Sequence, residues 1–446
     1  MTLTVDAIRE CLEGVIPSLA ATCAPDGTPN VTYVSQVHYV DAAHIALTYQ
    51  FFSKTRENVL ANPRVTLYLV HPVTLARYRI AARYLRTETE GPLFESMKAK
   101  LAGIASHTGM AGVFRLLGSD VYRVLEIESV PGRERPALPP GRSLLAAVRR
   151  AAQRLSGCTD LATLLDEALA SLAAEFAIDH AMVLMFDAPG RRLYTVASRG
   201  YETSGVGSEI ALGQGVIGVA ARECTPIRIS HATSEFGYGR AIRASAAAAG
   251  MADQLETEIP FPGLPGSRSQ LAVPISGCNR LIGVLYVESP ADLRFGYDDE
   301  DALVAFAAQL GAGVHLLQAM EGQDETPPAA SRRLPVEGAP VVIRRYVAND
   351  SIFLGEDYLI KGVAGAIFWK LARDYVSHQR VDFTNRELRL DPTIPLPDIS
   401  DNLEARLVLL QRRLDERAAC VRIEKTGRGR FRLCVQRPVK LVETAA

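Results

Sequence analysis

The chain lacks several features that mark a protein class at first sight. Its 446 residues include one tryptophan and seven cysteines. The cysteines are scattered, with no Cys-x-x-Cys pair and no His/Cys group at zinc-ligand spacing, which argues against a disulfide framework and a structural zinc site. An odd, dispersed set of thiols is typical of a reducing compartment. We therefore expect a cytoplasmic protein without a bound metal.

Targeting, membrane-spanning and catalytic patterns are also missing. The opening stretch, MTLTVDAIRECLEGVIPSL, has acidic residues and no basic segment before a long apolar run, so we expect no signal peptide. No run of about 18 uncharged apolar residues occurs, and we expect no contact with a membrane. No Ser/His/Asp set, carboxylate pair or phosphate-binding glycine loop is evident. We therefore predict no catalytic residues, and the pattern favours sensing over turnover.

Two stretches rich in proline, glycine and charge interrupt the hydrophobic pattern. They lie at 131–142 and 321–340 and are predicted to be linkers. The blocks that they separate, 1–130, 143–320 and 341–446, each have the length of a domain. The sequence therefore predicts a multidomain α+β protein with three modules.

The first block alternates short strands with turns and contains the stretch FFSKTRENVLANPRVTLYLV, a polar loop followed by a short helix and a strand. This order predicts a small antiparallel barrel with a helix. Over about 14–130, the block resembles the FMN-binding split barrels of the pyridoxamine 5′-phosphate oxidase-like superfamily. The resemblance implies a homodimer with FMN between the subunits.

In that family the polar loop holds the FMN phosphate, which requires hydroxyl and backbone donors together with a cation. The resemblance assigns this role to Ser53, Lys54, Thr55 and Arg56. It places Tyr33, Val34 and Ser35 beside the isoalloxazine ring. Haem, another flavin or no ligand are the alternatives, as is a Ser-Lys-Thr stretch that merely caps a helix. The family's substrate-binding Arg/His pattern is missing, which argues against oxidation of pyridoxamine phosphate.

The second block begins with two stretches of helical periodicity, the second with Thr159 as its predicted N-cap. LGQGVIGVAARECTPIRI, the LIGVLYVES strand and the final helix after Asp-Asp-Glu-Asp resemble a GAF domain. The resemblance implies an α/β sandwich that binds an unidentified small-molecule effector between its sheet and the segment 230–266. Cys224, Cys278 and His231 are expected near that pocket. A thiol or haem sensor is one interpretation, and buried free thiols are the one that we favour.

The third block ends in an amphipathic helix and a basic hairpin. Leu403, Leu407, Leu410 and Leu414 share one predicted stripe and should anchor the helix. From Arg422 to Arg432 five basic residues face one acid. The order of strands, three helices and a hairpin resembles the OmpR/PhoB-type winged helix, in which the third helix enters the major groove and the wing contacts the backbone.

The winged-helix resemblance implies two sets of DNA-binding residues. The free flank of the third helix supplies Asn402, Arg406, Arg413 and Arg417. The hairpin supplies Lys425, Arg428, Arg430 and Arg432. The alternative is that these arginines only solvate the surface and pair with nearby acids. Cys420 and Cys434 lie equally far from Gly427, so a disulfide across the hairpin is a further hypothesis.

Together these patterns predict a cytoplasmic, ligand- or redox-responsive transcriptional regulator with FMN, a GAF effector and DNA as its partners. One alternative is an FMN-dependent oxidoreductase regulated by its GAF and C-terminal parts. Another is a haem-binding sensor on the same scaffold, and a third is a scaffold protein with an empty barrel.

Overall fold

A computed structural model describes residues 3–12, 16–34, 37–49, 54–107, 116–135, 143–230, 259, 261–320, 338–396, 403–417 and 420–444. Within these ranges the chain forms sheets of seven, six, four and three strands. Helices accompany all of them, which confirms the predicted multidomain α+β class. The predicted linkers lie largely outside the described residues.

The first sheet is antiparallel, with the strand order β2-β1-β5-β6-β7-β4-β3. Its strands are β1 (Ser18–Cys23), β2 (Pro29–Val34), β3 (His38–Asp41), β4 (His44–Tyr49), β5 (Arg64–Val70), β6 (Arg77–Glu88) and β7 (Gly118–Val130). A 3-10 helix (Asp6–Leu12), α1 (Lys54–Ala61) and α2 (Pro92–His107) accompany it. The long pair β6–β7 has two register shifts. Such bulges increase the twist of a sheet and help it to curve around its apolar side chains.

The second sheet has the order β10-β9-β8-β13-β12-β11. Its strands are β8 (His180–Asp187), β9 (Arg192–Arg199), β10 (Glu209–Ala211), β11 (Ile227–Ile229), β12 (Ser269–Gly277) and β13 (Arg280–Ser289). Its helices are α3 (Leu144–Ser156), α4 (Leu161–Phe176), α5 (Gly215–Glu223) and α6 (Tyr297–Met320). Asp160, not the predicted Thr159, caps α4 by accepting a hydrogen bond from the Thr163 amide.

Two apolar clusters cover the two faces of this sheet. Helices α3, α4 and α6 pack on one face, and α3 lies directly against α6. On the other face α5 packs together with α2 of the first module, whose Ala99 is fully buried in the same cluster as Val219 and Ala220. By length and composition α6 alone among the described helices is apolar enough to cross a membrane. Its side chains Leu303, Phe306 and Leu310 lie instead in the apolar core of the sandwich.

The third module contains two small sheets. The order β16-β15-β14-β20 forms one and β17-β19-β18 the other. The strands are β14 (Val341–Tyr346), β15 (Ser351–Leu354), β16 (Asp357–Ile360), β17 (Asp382–Thr384), β18 (Val421–Gly427), β19 (Arg430–Val435) and β20 (Val439–Thr444). The helices are α7 (Gly362–His378), α8 (Asn385–Leu390) and α9 (Leu403–Glu416). Strand β20 was not predicted, and it pairs in parallel with β14.

Helix α9 joins the second and third modules through one apolar core. All four leucines of its predicted stripe are buried, as expected. The core cluster that holds them also contains Leu285 and Phe306 of the second module and Phe431 of the hairpin. The last two modules therefore share a continuous apolar interior, although their sequences are separated by a predicted linker.

The hairpin β18–β19 has the predicted alternation but not the predicted cysteine pairing. Val421, Ile423, Phe431, Leu433 and Val435 are all buried. A register shift between Lys425 and Gly427 displaces the two strands. The turn consists of Arg428 and Gly429 and is not centred on Gly427, so Cys434 lies opposite Arg422, and the Cys420 carbonyl accepts a hydrogen bond from the Gln436 amide. The proposed pairing of Cys420 with Cys434 is therefore wrong, and both thiols are free.

Candidate functional site

The start of α1 collects the polar residues of the predicted phosphate loop. Thr55 accepts a hydrogen bond at 2.9 Å from the Asn30 amide on β2, which ties the edge strand to the helix. Below it, the buried Asn58 donates to Thr22 at 3.1 Å. The Lys54 side chain is 59% exposed and lies 3.3 Å from Glu57. Ser53 and Ser35, two of the predicted ligands, lie outside the described residues.

The Arg56 side chain contacts residues of the barrel strands. Its guanidinium carbon lies 3.8 Å from the centroid of the Tyr49 ring. The same group donates to Thr87 at 3.3 Å, and its Nε lies 3.5 Å from Asp120 Oδ2. Burial raises the pKa of Asp120, while the bonds from Thr87 and Arg56 oppose that rise. Arg56 therefore forms an ion pair with the buried carboxylate of Asp120.

The exposed side of β2 lies beside the start of α1, to which Asn30 links it. This strand lies at the edge of the sheet, with Tyr33 77% exposed and Val31 62% exposed. Tyr33 and Val34 thus lie on the strand that Asn30 links to α1. A helix N-terminus, the Lys54 ammonium and the Thr55 hydroxyl are donors that suit a phosphate. The described residues at the start of α1 therefore provide donors of the kind that the phosphate of FMN requires, whereas Arg56 is paired with Asp120.

A second polar group is buried in the second module, on the sheet face that carries α5. Glu288 is 2% exposed and accepts a hydrogen bond from the Leu264 amide at 3.1 Å. The Tyr286 hydroxyl lies 3.4 Å from its other oxygen. Burial and the nearby Glu288 raise the pKa of Tyr201. The segment 231–258, which includes the predicted His231, is outside the described residues.

Helix α9 was expected to expose an arginine flank, and this expectation is wrong for Arg406 and Arg413. Each is 5% exposed. Arg406 lies 3.0 Å from Asp187 on β8 and 4.0 Å from the centroid of the Tyr194 ring on β9. The cause is that the flank faces the second module, where a carboxylate and an aromatic ring replace water around the guanidinium.

Helix α9 makes three further contacts with the second module. Arg412 donates to the Val196 carbonyl at 3.0 Å and to Asp166 on α4 at 2.6 Å. Glu416 accepts a hydrogen bond from Ser204. Arg413 donates to the Leu359 carbonyl within its own module at 3.1 Å. Burial lowers the pKa of Arg413.

The other predicted DNA-binding residues have different surroundings. Arg417 is exposed, and Asn402 lies outside the described residues. In the hairpin, Lys425 lies 3.1 Å from Glu404, and Arg432 lies 2.8 Å from Asp382. Arg428 and Arg430 are half-buried, and no ion pair is seen for them within the described part of the chain. Of these four hairpin cations, Lys425 and Arg432 on the strands are paired with acids, and Arg428 and Arg430 lie at the tip.

Sequence reasoning missed the acids that receive these cations. Asp187 ends β8 and Asp166 lies on α4, and neither position has a local pattern that links it to α9. The buried position of Glu288 could have been predicted, because Tyr286 and Glu288 lie two residues apart, and so on one face, in a strand that is otherwise largely apolar. A polar residue at such a position is either satisfied internally or available to a ligand.

Comparison with known proteins identifies two of the three modules. The family model described as pyridoxamine 5′-phosphate oxidase matches residues 4–127. The GAF domain model matches residues 160–314. Neither match reaches the third module, and no curated protein matches the chain.

Several solved structures resemble parts of the chain. The GAF domain of a phosphoenolpyruvate-protein phosphotransferase from Acinetobacter is 22% identical, with 40% of this chain and 97% of that chain covered and a TM-score of 0.31. HupZ from Group A Streptococcus is 20% identical, with 29% and 95% covered and a TM-score of 0.23. An FMN-binding protein from Syntrophomonas wolfei is 14% identical, with 28% and 86% covered and a TM-score of 0.24. At these TM-scores, none of the three carries a functional argument.

The family matches coincide with the first two predicted modules and with the sheets described above. The predicted oxidase-like barrel and GAF domain are therefore confirmed, while the third module is a region of mixed sheets without an assigned family. The chain thus contains a split barrel of the pyridoxamine 5′-phosphate oxidase kind followed by a GAF domain.

Proposed function

We propose that the protein is a ligand- or redox-responsive transcriptional regulator whose third module is a winged helix restrained by the GAF domain. The observation that carries this proposal is the docking of α9 on the GAF strands through Arg406 and Arg412. The order of elements supports it, since three helices are followed by a basic hairpin. In a winged helix, α9 would be the element that enters the major groove.

The burial of α9 gives the proposal a mechanism. A helix whose arginines contact Asp187 and Asp166 has no free face for DNA, so the docked arrangement is the inactive state. The tip of the hairpin, with Arg428 and Arg430, remains available to phosphates. An effector acts by changing the free-energy difference between docked and released α9, which it does only if it binds the two states differently.

The docking is tested by a charge reversal that leaves α9 and the apolar core unchanged. Asp166 is 70% exposed, and replacing it by lysine repels Arg412. We expect Asp166→Lys to increase the affinity for a mixed-sequence DNA duplex several-fold, measured by fluorescence anisotropy. Glu167→Lys on the same helix makes the same change in net charge and is the matched control. Equal affinities of the two variants would contradict the restraint.

We propose that the split barrel binds FMN with the phosphate at the start of α1. Thr55 accepts its hydrogen bond from Asn30, so its own hydroxyl proton can be donated to a phosphate oxygen. Thr55→Val should weaken FMN binding more than riboflavin binding, because only FMN carries the phosphate, and Thr55→Ser should restore it. Equal losses for the two flavins would reject this placement. A Soret band in the purified protein would favour haem instead.

The remaining partners belong to the same proposal. The exposed Tyr33 and Val31 on edge strand β2 support a homodimer that covers the flavin. The buried acceptor Glu288 favours a GAF effector with N–H donors. We also propose a cytoplasmic location, no contact with a membrane and no catalytic turnover.

A further inference from the structure

The turn between β12 and β13 brings a thiol onto helix α6 of the GAF domain. This turn consists of Cys278 and Asn279, with φ angles of 48° and 61°. Positive φ at both central residues defines the tight turn that matches the twist of a two-stranded hairpin. Cys278 is exposed and free. Its sulfur lies 3.3 Å from Nε2 of His315 on α6, which is within hydrogen-bonding distance for sulfur.

Close backbone packing fixes the position of this pair. Gly311 lies one helical turn before His315, and a Cβ at Gly311 would lie 2.3 Å from the Ser276 carbonyl oxygen. A Cβ at Gly277 would lie 3.3 Å from the Gly311 carbonyl oxygen. Only glycine at 311 allows the hairpin to approach the helix this closely. The thiol and the imidazole therefore meet because of two rigid elements, not because of a flexible loop.

Cys224 provides a comparison within the same domain. It is also exposed and has a φ of 48°. Its thiol donates to the Ala221 carbonyl at 3.6 Å, and both burial and Glu223 raise its pKa. The favoured interpretation of these two cysteines as buried thiols is therefore wrong. Both thiols are exposed. The imidazole of His315 lies beside Cys278, and the carboxylate of Glu223 lies beside Cys224.

We propose that Cys278 and His315 form a reactive thiol site that reacts with hydroperoxides. His315 Nε2 accepts the thiol proton, and the thiolate sulfur attacks the outer oxygen of the peroxide. The S–O bond forms as the O–O bond breaks, so the sulfur is oxidised to a sulfenic acid and the peroxide is reduced to an alcohol or water. The imidazolium returns its proton to the leaving oxygen.

We choose hydroperoxides as the substrate class because His315 can pass the thiol proton on to the leaving oxygen. An alkoxide or hydroxide leaves poorly unless a proton reaches it during the reaction, and His315 lies where it can supply one. The site is independent of the DNA-binding and FMN proposals, since it uses neither α9 nor the barrel. It makes the GAF domain responsive to an oxidant in addition to any ligand in its pocket.

The test compares the two cysteines in the full-length protein. Hydrogen peroxide is added at neutral pH in the presence of dimedone, which traps sulfenic acids, and mass spectrometry follows the peptides of Cys278 and Cys224. We expect Cys278 to be labelled at least about tenfold faster, in line with the contribution of a positioned base. His315→Gln should lower the Cys278 rate to that of Cys224.

Cys224 also controls for the fold, because its labelling rate should be the same in the wild-type protein and in His315→Gln. Cys278→Ser should remove the label from its own peptide only. Equal rates at the two cysteines in the wild-type protein would overturn the proposal. So would a Cys278 rate that His315→Gln leaves unchanged.

Discussion

The arginines of α9 and those at the tip of the hairpin carry the same charge but have opposite environments. Arg406 and Arg413 are each 5% exposed, and Arg406 contacts Asp187 and Tyr194 of the GAF domain. Arg428 and Arg430 are half-buried at a turn whose described residues show no ion pair for them. A run of basic residues therefore predicts a concentration of positive charge. It does not predict whether each cation pairs with an acid of the same protein or remains available to a ligand.

The difference has an energetic meaning. A cation enclosed by protein has lost its hydration and relies on its carboxylate, ring or carbonyl partner. A cation at a turn keeps much of its hydration and gains little from any one neighbour. The α9 arginines should therefore contribute to stability, and the hairpin arginines to interactions with a polyanion.

The largest expected effect is on the free energy of unfolding, which should depend on the buried arginines of α9 and not on those of the hairpin tip. Arg406→Ala leaves Asp187 without its closest cation and should lower the free energy of unfolding by about 3 to 5 kcal/mol. Arg406→Met, which keeps the apolar packing on Tyr194, should lose less. Arg428→Ala is the control and should change it by less than about 0.5 kcal/mol. Urea unfolding followed by circular dichroism measures all three, and equal losses for Arg406→Ala and Arg428→Ala would remove the distinction.

An effect that is smaller for each pH unit tests the consequence of burial on histidines of the barrel. His38 on β3 is buried, and burial, aided by Lys100, lowers its pKa from 6.5 to about 3. The unfolded chain thus takes up a proton that the folded imidazole does not. Stability that is present above pH 6.5 is lost as the pH falls towards 3, by about 1.4 kcal/mol per pH unit.

His38→Gln should remove that part of the slope from the pH dependence of unfolding. His44→Gln, at a partly exposed histidine on the neighbouring strand β4, is the control and should retain the slope of His38. An unchanged slope in His38→Gln would mean that burial of this imidazole does not govern the acid sensitivity of the barrel.

The smallest effect concerns DNA and the tip of the hairpin. Arg428→Ala and Arg430→Ala should each reduce the slope of log K against log salt by about 1, because one phosphate contact is lost. Arg373→Ala, at an exposed arginine of α7 outside the hairpin, should leave it unchanged. Anisotropy titrations at several salt concentrations provide the slopes. Identical slopes in all three variants would reject the hairpin as a phosphate-binding element.

Periodicity predicted much of the local structure. The leucine stripe of α9 and the alternation of the hairpin are observed as predicted, because both patterns depend only on the geometry of one element. Trp369, the single tryptophan, is buried. The cap of α4 is one residue later than predicted, because the Asp160 carboxylate accepts the hydrogen bond from the Thr163 amide. Strand β20 was missed, because its pairing with β14 joins opposite ends of the module.

The candidate sites were predicted less completely, for a related reason. Lys54 and Thr55 could be assigned from a local motif, but Asp120, which shares the charge of Arg56, lies on a distant strand. The pair of Cys278 and His315 is separated by 37 positions and depends on the contact between a hairpin and a helix. Neither partner has a local sequence signal.

The amino-acid sequence by itself determined the split barrel, the GAF domain, the helix and strand periodicities and the positions of the basic residues. Only the tertiary structure decided which arginines are buried and which remain at the surface. Arg412 contacts residues 216 and 246 positions away, so no local pattern carries that information. The physical reason is that periodicity is a property of one element, whereas the hydration and pairing of a charge depend on every element that packs around it.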